Sequence, residues 1–421
     1  MKLLIAPWGN PKGWKEVTYV FNEKKIKSRT SLKILQEVIK PDKTIIIGLD
    51  TLAERGKCYK EVKEDAEKTI KEWADEFELS NYEILIASGI GKFLNGDFKG
   101  DALDYYYYII AEISLKLLEN FKNCGNINIH LDLTHGINYS TILTYKAVKE
   151  IAGVFSLSKE VLFKAYNADP SLPRITNKLS INVIEDITSV PIPFGEKLSM
   201  GRPLEPKNLS HKERRMLFKD ELKNVKEISN IELSAFIGAL YNGLPLALFS
   251  FFPEKDKLKE IILTVLNIYE KYVKVKEGDK LKVVKKVKFG RDFKIYVFTY
   301  IIATLLSNLG LVYKRKSEVN LDEIENLKNK LFKFEESLKV IIDKELYKLK
   351  TSLEKKEVKE WNVYSKVIRG SSGDVDKRNF LAHSGFEENA IEIKKESDNL
   401  LLRYRKDILN TIENYCQSGL K

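Results

Sequence analysis

The chain of 421 residues is predicted to fold as an α/β, Rossmann-like N-terminal domain with a parallel-sheet core, followed by a mainly α-helical C-terminal domain carrying a small inserted β-hairpin. Three observations predict this. Short apolar runs alternate with amphipathic segments through the first half, a βαβ rhythm that calls for a parallel sheet flanked by helices. The stretch TSVPIPFGEKLSMGRPLEPK at 188–207 holds four prolines and two glycines without a period, as a domain boundary does. Beyond it the pattern is mostly helical. The expected domains are therefore 1–187 and 208–421, joined by a linker at 188–207. Length alone favours two cores over one, and 43% apolar with 31% charged residues marks a globular chain.

The strands are read from KLLIAPW (2–8), VTYVF (17–21), TIIIGL (44–49), YEILIAS (82–88), INIHLDL (127–133) and EVLFKAYNA (160–168). Several are apolar without alternation, as strands covered on both faces are. Helices are expected near 31–39, 58–77, 102–122 and 138–152. In the second half, YVKVKEGDKLKVVKKVKF (272–289) alternates around Glu277-Gly278-Asp279 and reads as the inserted hairpin. Residues 271–294 carry ten Lys/Arg against three Asp/Glu. They suit either a phosphate-contacting surface or a solvated edge protected by lysines.

Charge is split between the halves. Of 71 basic and 60 acidic residues, positions 1–200 hold 27 of each, so the whole excess of +11 lies in 201–421. A neutral half followed by a basic one suggests two jobs, the second involving a polyanion. Cys58, Cys124 and Cys416 are scattered, with no metal-ligand spacing, and point to a reducing cytoplasm without disulfides. The N-terminal MKLLIAPWGNPKG has too short an apolar run for a secretory signal. Two uncharged stretches, 233–253 and 295–313, are interrupted by Asn242 and Pro245, and by Thr299, Thr304, Ser307, Asn308 and Gly310. They read as buried helices, so no membrane partner is expected.

Small and polar residues gather at the expected strand ends: Trp8-Gly9-Asn10, SGIGKFLNGDFKG (88–100) and DLTHGINYS (132–140). Ligands of parallel α/β sheets bind beyond these ends, where glycine admits a phosphate and a helix N-terminus favours negative charge. The common nucleotide fingerprints are missing. GIGKFL at 89–94 lacks the third glycine of a dinucleotide loop, and no GK[ST] is present. Dehydrogenase and P-loop chemistry are thereby disfavoured. In DLTHG the hydroxyl, imidazole and amide of Thr134, His135 and Asn138 can read bases or ribose, or simply satisfy a strand-end turn.

This half resembles the CARF domains of the CRISPR-associated DxTHG-motif family found beside type III interference complexes. The resemblance rests on the α/β alternation, on Asp132-Leu133-Thr134-His135-Gly136 with Asn138, on LLIAPWGNP near the start and on GLDTLAERG at 48–56. It implies a sensor for cyclic oligoadenylate, bound across a homodimer, with cyclic tetra-adenylate the favoured ring. The ligand-binding residues it implies are Gly9, Asn10, Ser88, Gly89, Thr134, His135, Gly136 and Asn138. Whether the sensor also degrades its activator is left open.

Near the other end the chain reads RNFLAH. Asn379 and His383 stand i, i+4, so a helix would bring them to one face beside Arg378. An imidazole can move the ribose 2′-OH proton or protonate the leaving oxygen. A guanidinium can neutralise charge growing on the phosphate, and the amide can hold either in place. With no carboxylate cluster beside them, cleavage is expected to need no metal and to leave a 2′,3′-cyclic phosphate. One copy supplies few proton-handling groups, and a symmetric dimer would supply two sets. That agrees with a second resemblance: R-N-x-x-x-H is similar to the motif of HEPN ribonucleases, dimers with a composite site.

The combined expectation is a cytoplasmic, metal-independent endoribonuclease of type III CRISPR antiviral defence. Cyclic oligoadenylate would activate it, single-stranded RNA would be its substrate, and Arg378, Asn379 and His383 would be catalytic. It would act as a homodimer, with higher assembly left open and no cofactor. The alternative is a non-catalytic, ligand-responsive nucleic-acid-binding regulator. His130, inside a strand, is expected to be structural, His211 is set aside, and the tyrosines 105–108 are assigned to packing or dimer contact.

Overall fold

The computed structural model describes residues 1–120, 125–170, 177–191, 194–332, 335–396 and 399–421. Cys124, and Ile192 and Pro193 of the proline-rich stretch, lie outside the described residues. The chain divides into two compact units. The first comprises Met1–Ser189, Pro203–Leu222 and Ile262–Lys294; the second comprises Val190–Arg202, Lys223–Ile261 and Ile295–Lys421.

The first unit is built in the order β1 (Lys2–Pro7), β2 (Val17–Phe21), β3 (Lys24–Ser28), α1 (Ser31–Ile39), β4 (Lys43–Leu49), α2 (Tyr59–Glu76) and β5 (Tyr82–Ala87). Next come β6 (Gly91–Lys92), β7 (Gly96–Lys99), α3 (Ala102–Asn120), β8 (Asn126–Asp132), α4 (Asn138–Phe155), β9 (Glu160–Ala168) and β10 (Lys178–Thr188). All six expected strands and all four expected helices are present. The main sheet runs β3-β2-β10-β9-β8-β1-β4-β5, and its five strands β9-β8-β1-β4-β5 are mutually parallel. Strand β1 lies in the middle of these five. Accordingly Leu3, Leu4, Ile5 and Ala6 are buried on both faces, which is why the run is apolar without alternation.

Two additions extend the parallel core. Strand β2 turns back on β3 through Asn22 and Glu23, both at positive φ (45° and 65°), a geometry that matches the twist of a tight hairpin. Strand β10 pairs antiparallel with β9 and parallel with β2. Its Val183, Ile184 and Ile187 stay exposed, so it lacks the buried-run signature that revealed the core strands.

The basic hairpin is present as Val273–Lys276 paired with Leu281–Lys285. The second of these strands also pairs in parallel with β7. The segment that carries it, 262–294, belongs to the first unit.

In the second unit the apolar stretches form helices buried in protein. Asn230–Tyr241 buries Leu233 to Leu240, and Pro245 opens a short helix Pro245–Ser250. Asn242 breaks the run because its amide donates to the carbonyls of Cys416 and Ser418, at 3.0 and 2.9 Å. Among the described residues no helix is long and apolar enough to cross a membrane. The helices Leu321–Leu331, Glu336–Leu353, Tyr364–Arg369, Lys377–Ala382 and Leu409–Cys416 follow. The unit also holds a small antiparallel sheet from 319–320, 399–404, 391–396 and 362–363, in that spatial order. This sheet interrupts the mostly helical pattern expected beyond the boundary, occupying the segment after His383. IEIKKE and NLLLRY alternate inward and outward with period two, burying Ile391, Ile393, Leu400, Leu402 and Tyr404.

Candidate functional site

In the first unit the polar strand ends converge at the carboxyl edge of the parallel core. Gly9 N–H donates to the His135 carbonyl at 2.8 Å. A Cβ on Gly9 would lie 2.6 Å from the Ile137 side chain, so the β1 end can approach the β8 end only as glycine. Asn10 turns its amide oxygen onto Lys12 N–H at 3.0 Å. Gly9 and Asn10, with Trp8, Leu49, Thr51, Asn95 and others, line a cavity of about 410 Å³. The Trp8 side chain is buried, and its indole N–H has no partner among the described residues.

The remaining strand-end residues are spread over this edge with different surroundings. Asp132 is buried, accepts Ser31 Oγ–H at 2.6 Å and Thr134 N–H at 3.0 Å, and burial raises its pKa. Thr134 Oγ1 in turn accepts Ala168 N–H at 3.1 Å. His135 stacks on Trp14 with ring centroids 4.0 Å apart, and its Nε2 meets Ser31 N–H and Tyr19 Oη–H at 3.3 and 3.1 Å. Two donors on Nε2 require a neutral ring with its proton on Nδ1, in accord with a pKa pushed down to about 3 by burial. Gly136 leads into α4, whose first residue Asn138 is exposed at φ 25°. Ser88 is buried and accepts Tyr269 Oη–H at 2.8 Å, and Gly89 N–H donates to Asp50 Oδ1 at 2.7 Å. Gly9 and Asn10 are thus cavity residues, whereas Ser88, Gly89, Thr134 and His135 are tied into the protein's own hydrogen bonds.

His130 sits within β8 with Nδ1 2.7 Å from Tyr166 Oη and Nε2 buried without a partner among the described residues. Burial lowers its pKa to about 4, the profile of a neutral core histidine. Of the tyrosines, Tyr105 and Tyr108 are buried against Thr144 and Lys63, a packing role.

In the second unit RNFLAH occupies the helix Lys377–Ala382 and its C-cap. Asp376 caps the helix by accepting Asn379 N–H at 2.8 Å. Phe380 is fully buried and packs on Tyr404 and Tyr415, both with centroids 5.9 Å away. That anchor fixes the helix with Arg378 and Asn379 exposed, and neither of their side chains is engaged by another described residue. His383 is the C-cap, just past the helix at φ −103°, ψ 27°, and its N–H still bonds to the Asn379 carbonyl at 2.9 Å. The i, i+4 relationship therefore holds at the very end of a six-residue helix. Ser384 and Gly385, at φ 49° and 80°, turn the chain away immediately afterwards.

The structure adds one residue to this motif. Glu345, on the helix Glu336–Leu353, places Oε1 2.9 Å from His383 Nδ1. Its side chain is 6% exposed, against 40% for His383. A carboxylate oxygen accepts, so Nδ1 carries a proton, and whenever the ring is neutral Nε2 holds the free lone pair. Sequence reasoning missed Glu345 because 38 residues separate it from His383. The available signal is a single acid on a stripe otherwise formed by Ile342, Leu346, Leu349 and Leu353, all buried. No group of three or more His, Cys, Asp or Glu placed to hold a metal occurs among the described residues.

A Rossmann-like domain with a polar strand-end edge, joined to a helical domain that presents Arg and Asn on one short helix and His at its C-cap, defines a CARF–HEPN protein. Residues 3–170 match the CARF domain of the family described as CRISPR system endoribonuclease Csx1, and residues 313–406 match its HEPN domain. The CRISPR system endoribonuclease Csx1 of Methanocaldococcus jannaschii is 32% identical over 424 residues, covering 93% of this chain and 86% of that protein. The chain belongs to the Csx1 family of CRISPR-associated endoribonucleases. A solved structure, Enterococcus italicus Csm6 bound to cyclic hexa-2′-fluoro-hexa-dAMP, aligns with 100% of this chain and 94% of that chain at 10% identity and a TM-score of 0.28.

Proposed function

We propose that the protein is a homodimeric ribonuclease switched on by a cyclic oligoadenylate and cutting single-stranded RNA without a metal ion. The observation that carries the chemistry is the Glu345–His383 pair, which leaves a basic Nε2 on a half-exposed ring at the end of the motif helix. In the proposed step His383 Nε2 takes the proton from a ribose 2′-OH. The 2′-oxygen then attacks the adjacent phosphorus, and the bond from phosphorus to the 5′-oxygen breaks. A 2′,3′-cyclic phosphate is left on one fragment, and the 5′-oxygen takes a proton from the imidazolium form of His383 of the partner subunit, which is left neutral as the first His383 becomes charged. Arg378 faces the charge that builds on the phosphoryl oxygens, while Asn379 orients the phosphate. Glu345 holds the imidazole in its working tautomer and stabilises the imidazolium once it forms.

The sensor reading is supported by the cavity beside Gly9 and Asn10 at the carboxyl edge of the parallel core. Cyclic tetra-adenylate is the favoured activator, and Ser88, Gly89, Thr134, His135, Gly136 and Asn138 complete the edge on which it would lie. Gating requires that the ring bind the active arrangement more tightly than the inactive one.

The test is cleavage of a labelled single-stranded RNA in EDTA, with and without cyclic tetra-adenylate or cyclic hexa-adenylate. Stimulation by one ring, with 2′,3′-cyclic phosphate ends on the product, is expected. Cleavage that requires added divalent metal would overturn the metal-independent mechanism. An absence of cleavage by folded, dimeric protein under every condition would favour the ligand-responsive binding regulator.

A further inference from the structure

The inserted segment 262–294 has no part in the proposed chemistry, yet it carries the most deeply buried charge pair of the first unit. Lys285 Nζ lies 2.7 Å from Asp50 Oδ2, and both side chains are 0% exposed. The same ammonium donates to the Gly89 carbonyl at 2.6 Å. Asp50 Oδ1 accepts Gly89 N–H at 2.7 Å, and Asp50 Oδ2 also accepts Tyr59 Oη–H at 3.0 Å. Gly89 is thereby held at both its N–H and its C=O, by Asp50 and by the insertion's lysine. A side chain at Gly89 has no room, because its Cβ would lie 2.6 Å from Thr51 Cγ2.

The pair adjoins residues that line the strand-end cavity. Asp50 stands in sequence between Leu49 and Thr51, which both line that cavity. A second connection joins cavity and insertion: the lining residue Asn95 donates to the Thr51 and Ala53 carbonyls at 2.9 and 2.6 Å and accepts Leu281 N–H on its own carbonyl at 3.0 Å. Leu281 and Lys285 are the two ends of one strand, which β7 flanks in parallel. A third reaches the preceding helix, where Tyr269 Oη–H meets Ser88 Oγ at 2.8 Å and Asp104 Oδ2 at 3.2 Å.

A buried ion pair contributes little net stability, because desolvation offsets most of its attraction. Two apolar residues of similar volume would fill the same space at no greater cost. Such a pair is informative for what it specifies, a single arrangement of the elements that meet there. The elements here are the cavity wall and a segment joined at both ends, through the helices Lys255–Lys271 and Arg291–Asn308, to the chain of the nuclease unit.

We propose that the Asp50–Lys285 pair is a relay, through which occupancy of the strand-end cavity sets the position of the 262–294 insertion and thereby the state of the nuclease. The inference rests on the ligand-gated reading above and assigns its transmission to named residues. Lys285 and Asp50 act as positioning residues, touching neither RNA nor the reacting atoms.

The experiment compares three full-length proteins: wild type, Lys285→Met, and the charge-neutral double variant Asp50→Asn/Lys285→Met. The double variant guards against misfolding caused by an unpaired buried carboxylate. Each is assayed for RNA cleavage with and without cyclic tetra-adenylate or cyclic hexa-adenylate, and for binding of the same ring by calorimetry. Expected is ligand-free cleavage like the wild type, ring affinity within about threefold, and stimulation reduced by about tenfold or more in the double variant. Full stimulation in a double variant that binds the ring overturns the relay. Loss of binding together with stimulation also overturns it, by making the pair part of the binding site. A wild type that neither ring stimulates overturns the gating reading and the relay together.

Discussion

Glu345 Oε1 and His383 Nδ1 stand 2.9 Å apart, with the carboxylate buried and the ring half in solvent. One side of the imidazole is thereby committed to the protein and the other is left for chemistry. The helix Glu336–Leu353 supplies the constraint, and the helix Lys377–Ala382 with its C-cap carries Arg378, Asn379 and His383.

Replacing His383 by Ala should lower RNA cleavage by about 10²–10⁴-fold while RNA binding is largely kept. Single-turnover cleavage and a binding isotherm on the same labelled RNA measure both. Equal loss of binding and cleavage would indicate a substrate-holding residue in place of a proton carrier.

Glu345→Gln keeps the size of the side chain and removes the charge that stabilises the imidazolium. A fall in kcat of about 10–100-fold is expected with KM nearly unchanged, by analogy with the loss of a group orienting a functional histidine. The Glu345→Asp variant, which keeps the charge on a shorter stem, should recover part of the rate. If the role were only packing, Gln would be silent.

Phe380→Ala removes the buried ring that anchors the motif helix on Tyr404 and Tyr415. Large aromatic truncations in a core cost about 3–5 kcal/mol. Chemical denaturation should register that loss in the helical unit, and cleavage should fall with it because Arg378 and Asn379 lose their fixed presentation.

Two buried histidines of the first unit are expected to make its stability fall on acidification. Burial lowers the His130 and His135 pKa values to about 4 and about 3, from 6.5 for the free side chain. The unfolded chain therefore binds protons at these sites between pH 6.5 and 4 while the folded chain does not. Their contribution is fully present above pH 6.5 and is lost as the pH falls toward the folded values. Each site adds a slope approaching about 1.4 kcal/mol per pH unit in that window. Denaturant titrations from pH 7 to pH 4 should give a shallower decline for His130→Gln than for the wild type. Identical slopes would show that His130 is protonated in the fold.

What was legible in the sequence follows the range of the interactions involved. The strands from KLLIAPW to EVLFKAYNA and the four helices between them were readable because burial on one or both faces imposes a local pattern. RNFLAH was readable because its members lie within one helical turn or so of each other. The strands β3 and β10 were not singled out: Lys24–Ser28 is lysine-rich, and β10 leaves apolar residues in solvent. The sheet strands after His383 carry a period-two alternation, yet they are short and charged and sit in a helical neighbourhood. Lys285 left one trace, an inward position shared with Leu281 and Val283, but an alternating lysine-rich hairpin reads equally well as a solvated edge.

The order of amino acids alone carries the alternation of strand and helix, the polar strand ends, the placement of the excess charge and the RNFLAH motif. Each is written within a few neighbouring residues by side-chain period, turn chemistry or composition. It takes the folded chain to show that Glu345 meets His383, that Lys285 meets Asp50, and that the 262–294 segment belongs to the first unit. These pairs are separated by tens to hundreds of residues. A buried charge finds its partner through the packing of whole elements, and no local pattern records which partner that is.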